Sequence, residues 1–250
     1  MTLLDRHRRD WDELGKLDPF WAVLSDPSRR FGRWEVQEFF KTGEVEIQQL
    51  LLLADQLGYP AARIRALDFG CGVGRLTRAL AGHFQECTGV DISAPMVARA
   101  RELSGSLGNC SFVVNEEVGP GRFSDDSFDF VVSKLVLQHL PSKKAIENCI
   151  RELVRILKKD GLLVFQLPCF IPIRNRLQFR RRIYACLRMV GFGHDYVYQR
   201  LHLHPIRMNY VPEGKVCRMI DLVSAKLVLM RPDPREPTEP IVSATYFVTK

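Results

Sequence analysis

Residues 66–77 read ALDFGCGVGRLT and carry Gly70, Gly72 and Gly74 directly behind a short apolar run and directly ahead of a helical pattern. That order predicts a strand running into a turn that lies against a ligand. Glycine lets the backbone turn left-handed and approach without a Cβ, and the following helix offers free N–H groups to polar atoms. Further along, CTGVDIS ends a second apolar run at Asp91. A carboxylate at that place accepts both hydroxyls of a ribose. The two features together predict an α/β fold with a doubly wound, mostly parallel sheet and a nucleoside site at its carboxyl edge.

The details separate two nucleotide families. A dinucleotide fingerprint requires a small third residue at position 75, for close helix packing beside a pyrophosphate, and Arg75 stands there instead. Asp68 adds an anion that repels a pyrophosphate and suits an ammonium group. S-adenosyl-L-methionine meets both conditions, having an adenosine, no phosphate and an amino-acid tail. Here the chain resembles the class I S-adenosylmethionine-dependent methyltransferases, whose first motif is an acidic residue followed by GxGxG. The likeness continues through CSFVVNEE, SFDFVVSKLVLQHLP and ELVRILKKDGLLVFQLP, covering residues 64 to 168, and more loosely through the final IVSATYFVTK. KKDG replaces the commoner lysine-proline-glycine-glycine turn, and Lys134 falls where the family varies.

The resemblance implies a Rossmann-like fold of seven strands and a set of cofactor contacts. Asp68, Gly70, Gly72 and Gly74 are expected to line the methionine end, with Cys71 and Arg75 counted in the same turn. Asp91 is expected to hold the ribose. Ile92 and Met96 either sandwich the adenine or pack in the core. Asn115 and Glu116 are expected at the adenine edge, and the backbone of Lys134 and Leu135 near the methionine portion.

At 250 residues and 46% apolar content the chain suits one sizeable domain. No signal-like leader and no long apolar run stand in the sequence, so a cytoplasmic protein without stable membrane insertion is expected. Seven cysteines without a CxxC pair point to reduced thiols rather than disulfides or zinc. Residues 1–58 read as a helical cap across the cofactor mouth, and 59–250 as the methyltransferase domain. Pro168 and Pro172 open an insertion over 170–211 that is expected to wall the acceptor site, before a helix near 212–223 and a hairpin of two strands separated by RPDPREPTEP.

The net charge of +7 is concentrated at Arg174, Arg176, Arg180, Arg181, Arg182 and Arg188. Ile173, Leu177, Ile183, Tyr184 and Leu187 recur among them at helical spacing, which predicts an amphipathic helix with an apolar core stripe and most arginines on the other face. Its arginines are read as a solvated face, as contacts to an anionic acceptor group, or as a membrane or nucleic-acid surface.

Methyl transfer from a sulfonium chiefly needs alignment, which contributes on the order of 7 to 11 kcal/mol. A general base adds roughly 10² to 10⁴ when the acceptor is a hydroxyl. His139 is the first candidate base, because it follows the fourth strand; a loop-holding histidine is the other reading at that position. His194, Asp195, Tyr196, His202 and His204 cluster in the insertion and are expected to offer further residues facing the acceptor, with His194, Tyr196 and His202 the further catalytic candidates. His202 and His204 alternate as a metal pair would, but no third ligand accompanies them, so no metal is expected. The expected activity is methylation of a hydroxyl, less readily an amine, on a small molecule such as a sugar or secondary metabolite. An RNA or protein methyltransferase is the alternative, with nucleic acid disfavoured by the lack of an aromatic-basic module. A non-catalytic cofactor-binding protein is the second alternative. Oligomeric state is not legible in the sequence.

Overall fold

The central strands of this chain, FDFVVS and the following GLLVF, are buried on both faces, and such strands are stable only with helices layered on each side. A computed structural model describes residues 2–234 and 240–250. Its strands are β1 (Arg65–Phe69), β2 (Glu86–Asp91), β3 (Cys110–Val114), β4 (Phe128–Ser133), β5 (Leu157–Phe170), β6 (Lys226–Pro232) and β7 (Val242–Thr249). They form one sheet in the order β3-β2-β1-β4-β5-β7-β6. Neighbours from β3 to β5 are parallel, and β7 runs antiparallel to β5 and β6. This is a seven-stranded, mostly parallel Rossmann-like sheet.

The helices are α1 (Leu3–Leu17), α2 (Pro19–Val23), α3 (Val36–Leu57), α4 (Arg75–Leu80), α5 (Ala94–Ser104), α6 (Lys143–Arg155), α7 (Ile173–Arg176), α8 (Phe179–Met189), α9 (His194–Gln199) and α10 (Glu213–Asp221). Strand side chains alternate between the two layers, as the period of a strand requires. Phe130, Val132, Leu162 and Val164 pack with Ile47 and Leu51 of α3 and Leu80 of α4. Val131, Leu163 and Phe165 pack on the opposite face with Ile146 and Ile150 of α6 and Val216 and Ile220 of α10. Each such side chain taken from water contributes roughly 1.5 to 3 kcal/mol.

Strand order reverses between β1 and β4, so the loops after these two strands diverge and leave a crevice at the carboxyl edge. Over that crevice lies α1. Its start is fixed by a capping box, in which the Thr2 hydroxyl accepts from Asp5 N and the Asp5 carboxylate accepts from Thr2 N. Gly15 lets α1 lie against α5, because a Cβ there would stand 3.1 Å from Met96 Cγ.

Three expectations change. The leader is not one cap over 1–58: α1 and α2 cover the crevice, while α3 joins α4 in the layer on the sheet, because its Ile47, Leu51 and Ala54 face the strands. The KKDG segment lies inside β5 rather than in a separate turn, with Asp160 in the left-handed region at φ +58. The arginine segment is turned the other way from its expected stripe. Ile173, Leu177 and Ile183 are exposed, and only Tyr184 and Leu187 pack inward. The reason is the surface they meet: α1 presents Asp10 and Glu13, which draw Arg181 and Arg188 inward, with Arg188 Nη2 at 2.9 Å from Glu13 Oε1. Five of the ten residues of RPDPREPTEP, 235–239, lie outside the described residues, and Arg231 and Pro232 belong to β6.

Candidate functional site

β1 ends in the glycine turn, where Gly70, Gly72 and Gly74 all take positive φ. The turn is tied to the end of β2: the Gly70 and Cys71 amides donate to the Val90 carbonyl, and the Gly72 amide donates to Asp91 Oδ2 at 2.9 Å. Asp91 Oδ1 accepts from Ser93 N at 2.8 Å. Each carboxylate oxygen has a second lone pair, so the group can still accept two ribose hydroxyls. Burial raises the Asp91 pKa from its ordinary value, and the amides of Ser93 and Gly72 oppose that rise. Ser93 caps α5, and its hydroxyl donates to the Trp11 carbonyl at 3.3 Å, pinning α1 to this corner.

Three further elements close the cavity. After β3, Asn115 Nδ2 donates to the Glu117 and Gly119 carbonyls and shapes the loop. After β4, Leu135 takes φ +60, an unusual conformation for a leucine, on the cavity wall. From above, Leu4, His7 and Trp11 of α1 project one helical stripe onto the cavity.

His139 stands on the 3-10 turn Leu137–His139. Its Nδ1 lies 2.5 Å from the Arg207 carbonyl, which only accepts, so the proton is on Nδ1 and the lone pair on Nε2. Burial holds its pKa down at about 4, leaving the ring neutral at ordinary pH. The His139 and Trp11 rings are 5.4 Å apart. His7, also on this wall, is held at about 4 by burial and by its neighbours His139 and Arg207.

Of the residues named from sequence, Gly70, Gly72, Asp91, Ile92, Met96, Asn115, Lys134, Leu135 and His139 line this cavity. Asp68, Cys71, Gly74, Arg75 and Glu116 do not. Asp68 is buried behind the turn, where its Oδ2 accepts from Thr77 Oγ1 at 2.7 Å, and burial pushes its pKa up to about 6. Arg75 points to α3, pairing with Glu46 at 2.7 Å. Cys71 is buried against Val97, Ala100 and Phe112, and a Cβ on Gly74 would stand 2.9 Å from Phe112 Cε1. Glu116 turns outward to Arg8, and Glu117 takes the wall position. His194 bonds the Tyr184 hydroxyl at 2.6 Å under the insertion, and Tyr196 stacks on Phe192 at the surface. His202 borders a second cleft.

That second cleft shares Val23, Leu135 and His139 with the first and runs out between the α2 loop and the insertion, past Arg30, Arg180 and His204. Arg30 is buried between the Trp21 and Tyr198 rings, 4.6 and 4.3 Å from its guanidinium carbon. The sequence reading missed Leu4, His7, Trp11, Val23 and Glu117 as wall residues, whereas His204, which it grouped with the residues facing the acceptor, does border the second cleft. Leu4, His7, Trp11 and Leu14 recur at helical spacing, a signal that could have found the α1 contribution. Among the described residues no three His, Cys, Asp or Glu side chains gather as a metal site.

The first cavity fits S-adenosylmethionine in its chemistry. Asp91 and Glu117 are acidic, and Lys134, the one Lys or Arg on the wall among the described residues, directs Nζ to Thr245 Oγ1 at 2.9 Å. A Cβ on Gly72 would fall 2.3 Å from Val23 Cγ2, so only glycine leaves this cradle open. An anionic wall of this kind accepts an ammonium and a sulfonium and rejects a pyrophosphate.

A family profile described as a methyltransferase domain matches residues 67–165. A 2-methyl-6-phytyl-1,4-hydroquinone methyltransferase of a Synechocystis species is 37% identical over 155 residues, 62% of this chain and 47% of that one. An uncharacterized methyltransferase of Bacillus subtilis is 33% identical over 105 residues, 40% of this chain and 39% of that one. The chain spans about half or less of the length of these curated relatives. Among solved structures, a magnesium protoporphyrin IX methyltransferase from Synechocystis with bound SAH superposes with a TM-score of 0.64 at 17% identity, covering 100% of both chains.

Proposed function

We propose that this protein is a class I S-adenosylmethionine-dependent methyltransferase that methylates a hydroxyl of a small molecule entering through the second cleft, a reading supported by the methyltransferase-domain match over residues 67–165 and by the Rossmann-like sheet. The observation that carries the reading is His139, which borders both cavities with Nδ1 tied to a carbonyl and Nε2 left as a lone pair. When bound, S-adenosylmethionine supplies an electrophilic methyl carbon. Asp91 would hold the ribose, and Gly70 and Gly72 of the turn with the Leu135 backbone would hold the amino-acid end. His139 Nε2 takes the proton of the acceptor hydroxyl as its oxygen gains the methyl group. The Arg207 carbonyl keeps the ring in that tautomer and orientation.

Two observations bear on the acceptor. Trp21, Trp34 and Met208 give the cleft an apolar lining that suits a ring. Arg30 has no hydrogen-bond partner for Nε and Nη2 among the described residues, and that edge of a guanidinium is the one that matches a carboxylate. An acceptor carrying a ring hydroxyl and an acidic group satisfies both. The relatives' names, which include hydroquinone, quinone and tocopherol substrates, support a small cyclic acceptor.

The test is transfer of labelled methyl from S-adenosylmethionine to a panel of ring hydroxyls with and without a carboxylate, beside amines and RNA. Carboxylated hydroxyl acceptors are expected to be methylated best. His139→Gln should lower kcat by roughly 10² to 10⁴ with the donor still bound. Methylation of RNA alone, or an unchanged kcat in that variant, overturns the reading.

A further inference from the structure

The insertion carries an outward face that neither cavity uses. Between Asp160 and Asp195 the chain has no acidic residue, while it holds Arg174, Arg176, Arg180, Arg181, Arg182 and Arg188. On α8 and its C-cap, Phe179, Ile183, Cys186 and Val190 follow one another at spacings of four, three and four, which is one helical stripe. All four are exposed, and Met189 beside them is 83% exposed. The inward side is already satisfied: Tyr184 and Leu187 pack with Val197 and Leu203, and Arg188 pairs with Glu13. Past the helix end, Phe192 and Tyr196 stack on each other and stay exposed; before it, Phe170 and Ile173 do the same without stacking.

Exposed large apolar side chains concentrated in this way mark a contact surface. The charge decides among occupants. A second copy of this chain would bring arginines against arginines. A nucleic acid would match the arginines and set its phosphates against Ile183, Met189 and Val190. A lipid surface with anionic headgroups matches both parts, because apolar side chains enter the acyl boundary while arginines remain at the headgroups. No described helix is long and apolar enough to cross a membrane, so such contact is peripheral.

We propose that the outer face of residues 170–196 docks this protein on an anionic lipid surface. Phe179, Ile183, Met189 and Val190 enter the boundary, and Arg174 and Arg182, both exposed, meet the headgroups. The inner side of the same helix grips α1, whose His7 and Trp11 wall the cofactor cavity, so the docked face lies one helix away from the site.

The experiment is flotation of the full chain with vesicles of phosphatidylcholine alone and of phosphatidylcholine mixed with phosphatidylglycerol, at low and moderate salt. At least tenfold more protein should float with the mixed vesicles, and salt should reduce that fraction. Phe179→Ser with Ile183→Ser and Val190→Ser should lower it at least tenfold while thermal unfolding and S-adenosylhomocysteine binding stay unchanged. If the triple variant fails to fold, Ile183→Ser and Met189→Ser made singly carry the same comparison. Absence of flotation overturns the proposal, as does flotation that the serine variants leave unchanged. A dimer in sedimentation that the triple variant makes monomeric, or RNA binding without vesicle binding, overturns it in favour of that other occupant.

Discussion

Asp91 joins two structures, bracing the glycine turn through Gly72 N and the start of α5 through Ser93 N while keeping lone pairs for a ligand. If Asp91 holds the ribose as proposed, its removal costs affinity twice, by losing that acceptor and by loosening the turn. Asp91→Ala should weaken S-adenosylhomocysteine by roughly 1.5 to 3 kcal/mol, the range for hydrogen bonds to a charged group, and calorimetry with both proteins measures it. An unchanged affinity would put the ribose elsewhere. Asp68, one turn earlier in the same motif, answers to different forces. It is sealed behind the turn and bonded to Thr77, so its carboxylate braces β1 against α4 instead of meeting a ligand. The motif names the acid in both cases, and only the three-dimensional neighbours separate a wall residue from a brace.

At the scale of elements, acid acts where α1, the turn after β4 and the insertion meet. Burial holds His7, His139 and His204 at about 4, whereas unfolded histidines titrate near 6.5. Between those values the unfolded chain binds more protons at these positions, so their contribution to stability is present above pH 6.5 and lost as pH falls towards 4. Asp10 and Asp91, whose pKa values are raised, act in the opposite direction. A difference between proteins isolates the histidine: from pH 6.5 to pH 4 the Tm of wild type should fall more steeply than that of His7→Gln. Parallel Tm curves would show that His7 is not buried as a neutral ring. The elements themselves were legible, because glycine turns, alternating strands and caps are local signals. The direction of α8 was not: Ile183 and Tyr184 both fit helical stripes, and the choice was made by Glu13 on α1, far away in sequence. Arg75 was read as a cofactor residue for the same kind of reason, its partner Glu46 lying on α3.

For the whole molecule, the cavity proposed to take the cofactor is where parts of the chain far apart in sequence meet. The sheet contributes the loops after β1, β2, β3 and β4; the leader contributes α1 and Val23 of α2. The leader is held in turn by the insertion, through Glu13 to Arg188 and through Asp18, which accepts from the Tyr198 hydroxyl at 2.9 Å. A ligand that touches sheet loops and α1 together binds the folded assembly and not the unfolded chain, so its binding energy adds to global stability. With S-adenosylhomocysteine at about 100 times its Kd the gain is roughly 2.7 kcal/mol. For a chain of this size each kcal/mol moves Tm by roughly 2 to 4 °C, so a rise of roughly 5 to 10 °C is expected in a thermal melt. The same ligand concentration should shift Asp91→Ala much less, and a nicotinamide dinucleotide should shift neither protein. Tryptophan emission sharpens the measurement, because Trp11, Trp21 and Trp34 all lie in the leader. If α1 closes the cavity as part of the folded unit, their unfolding signal should move with the ligand by the same amount as the far-ultraviolet signal of the sheet and helices. A tryptophan transition that stays at its ligand-free temperature while the rest shifts would show that α1 takes no part in holding the cofactor.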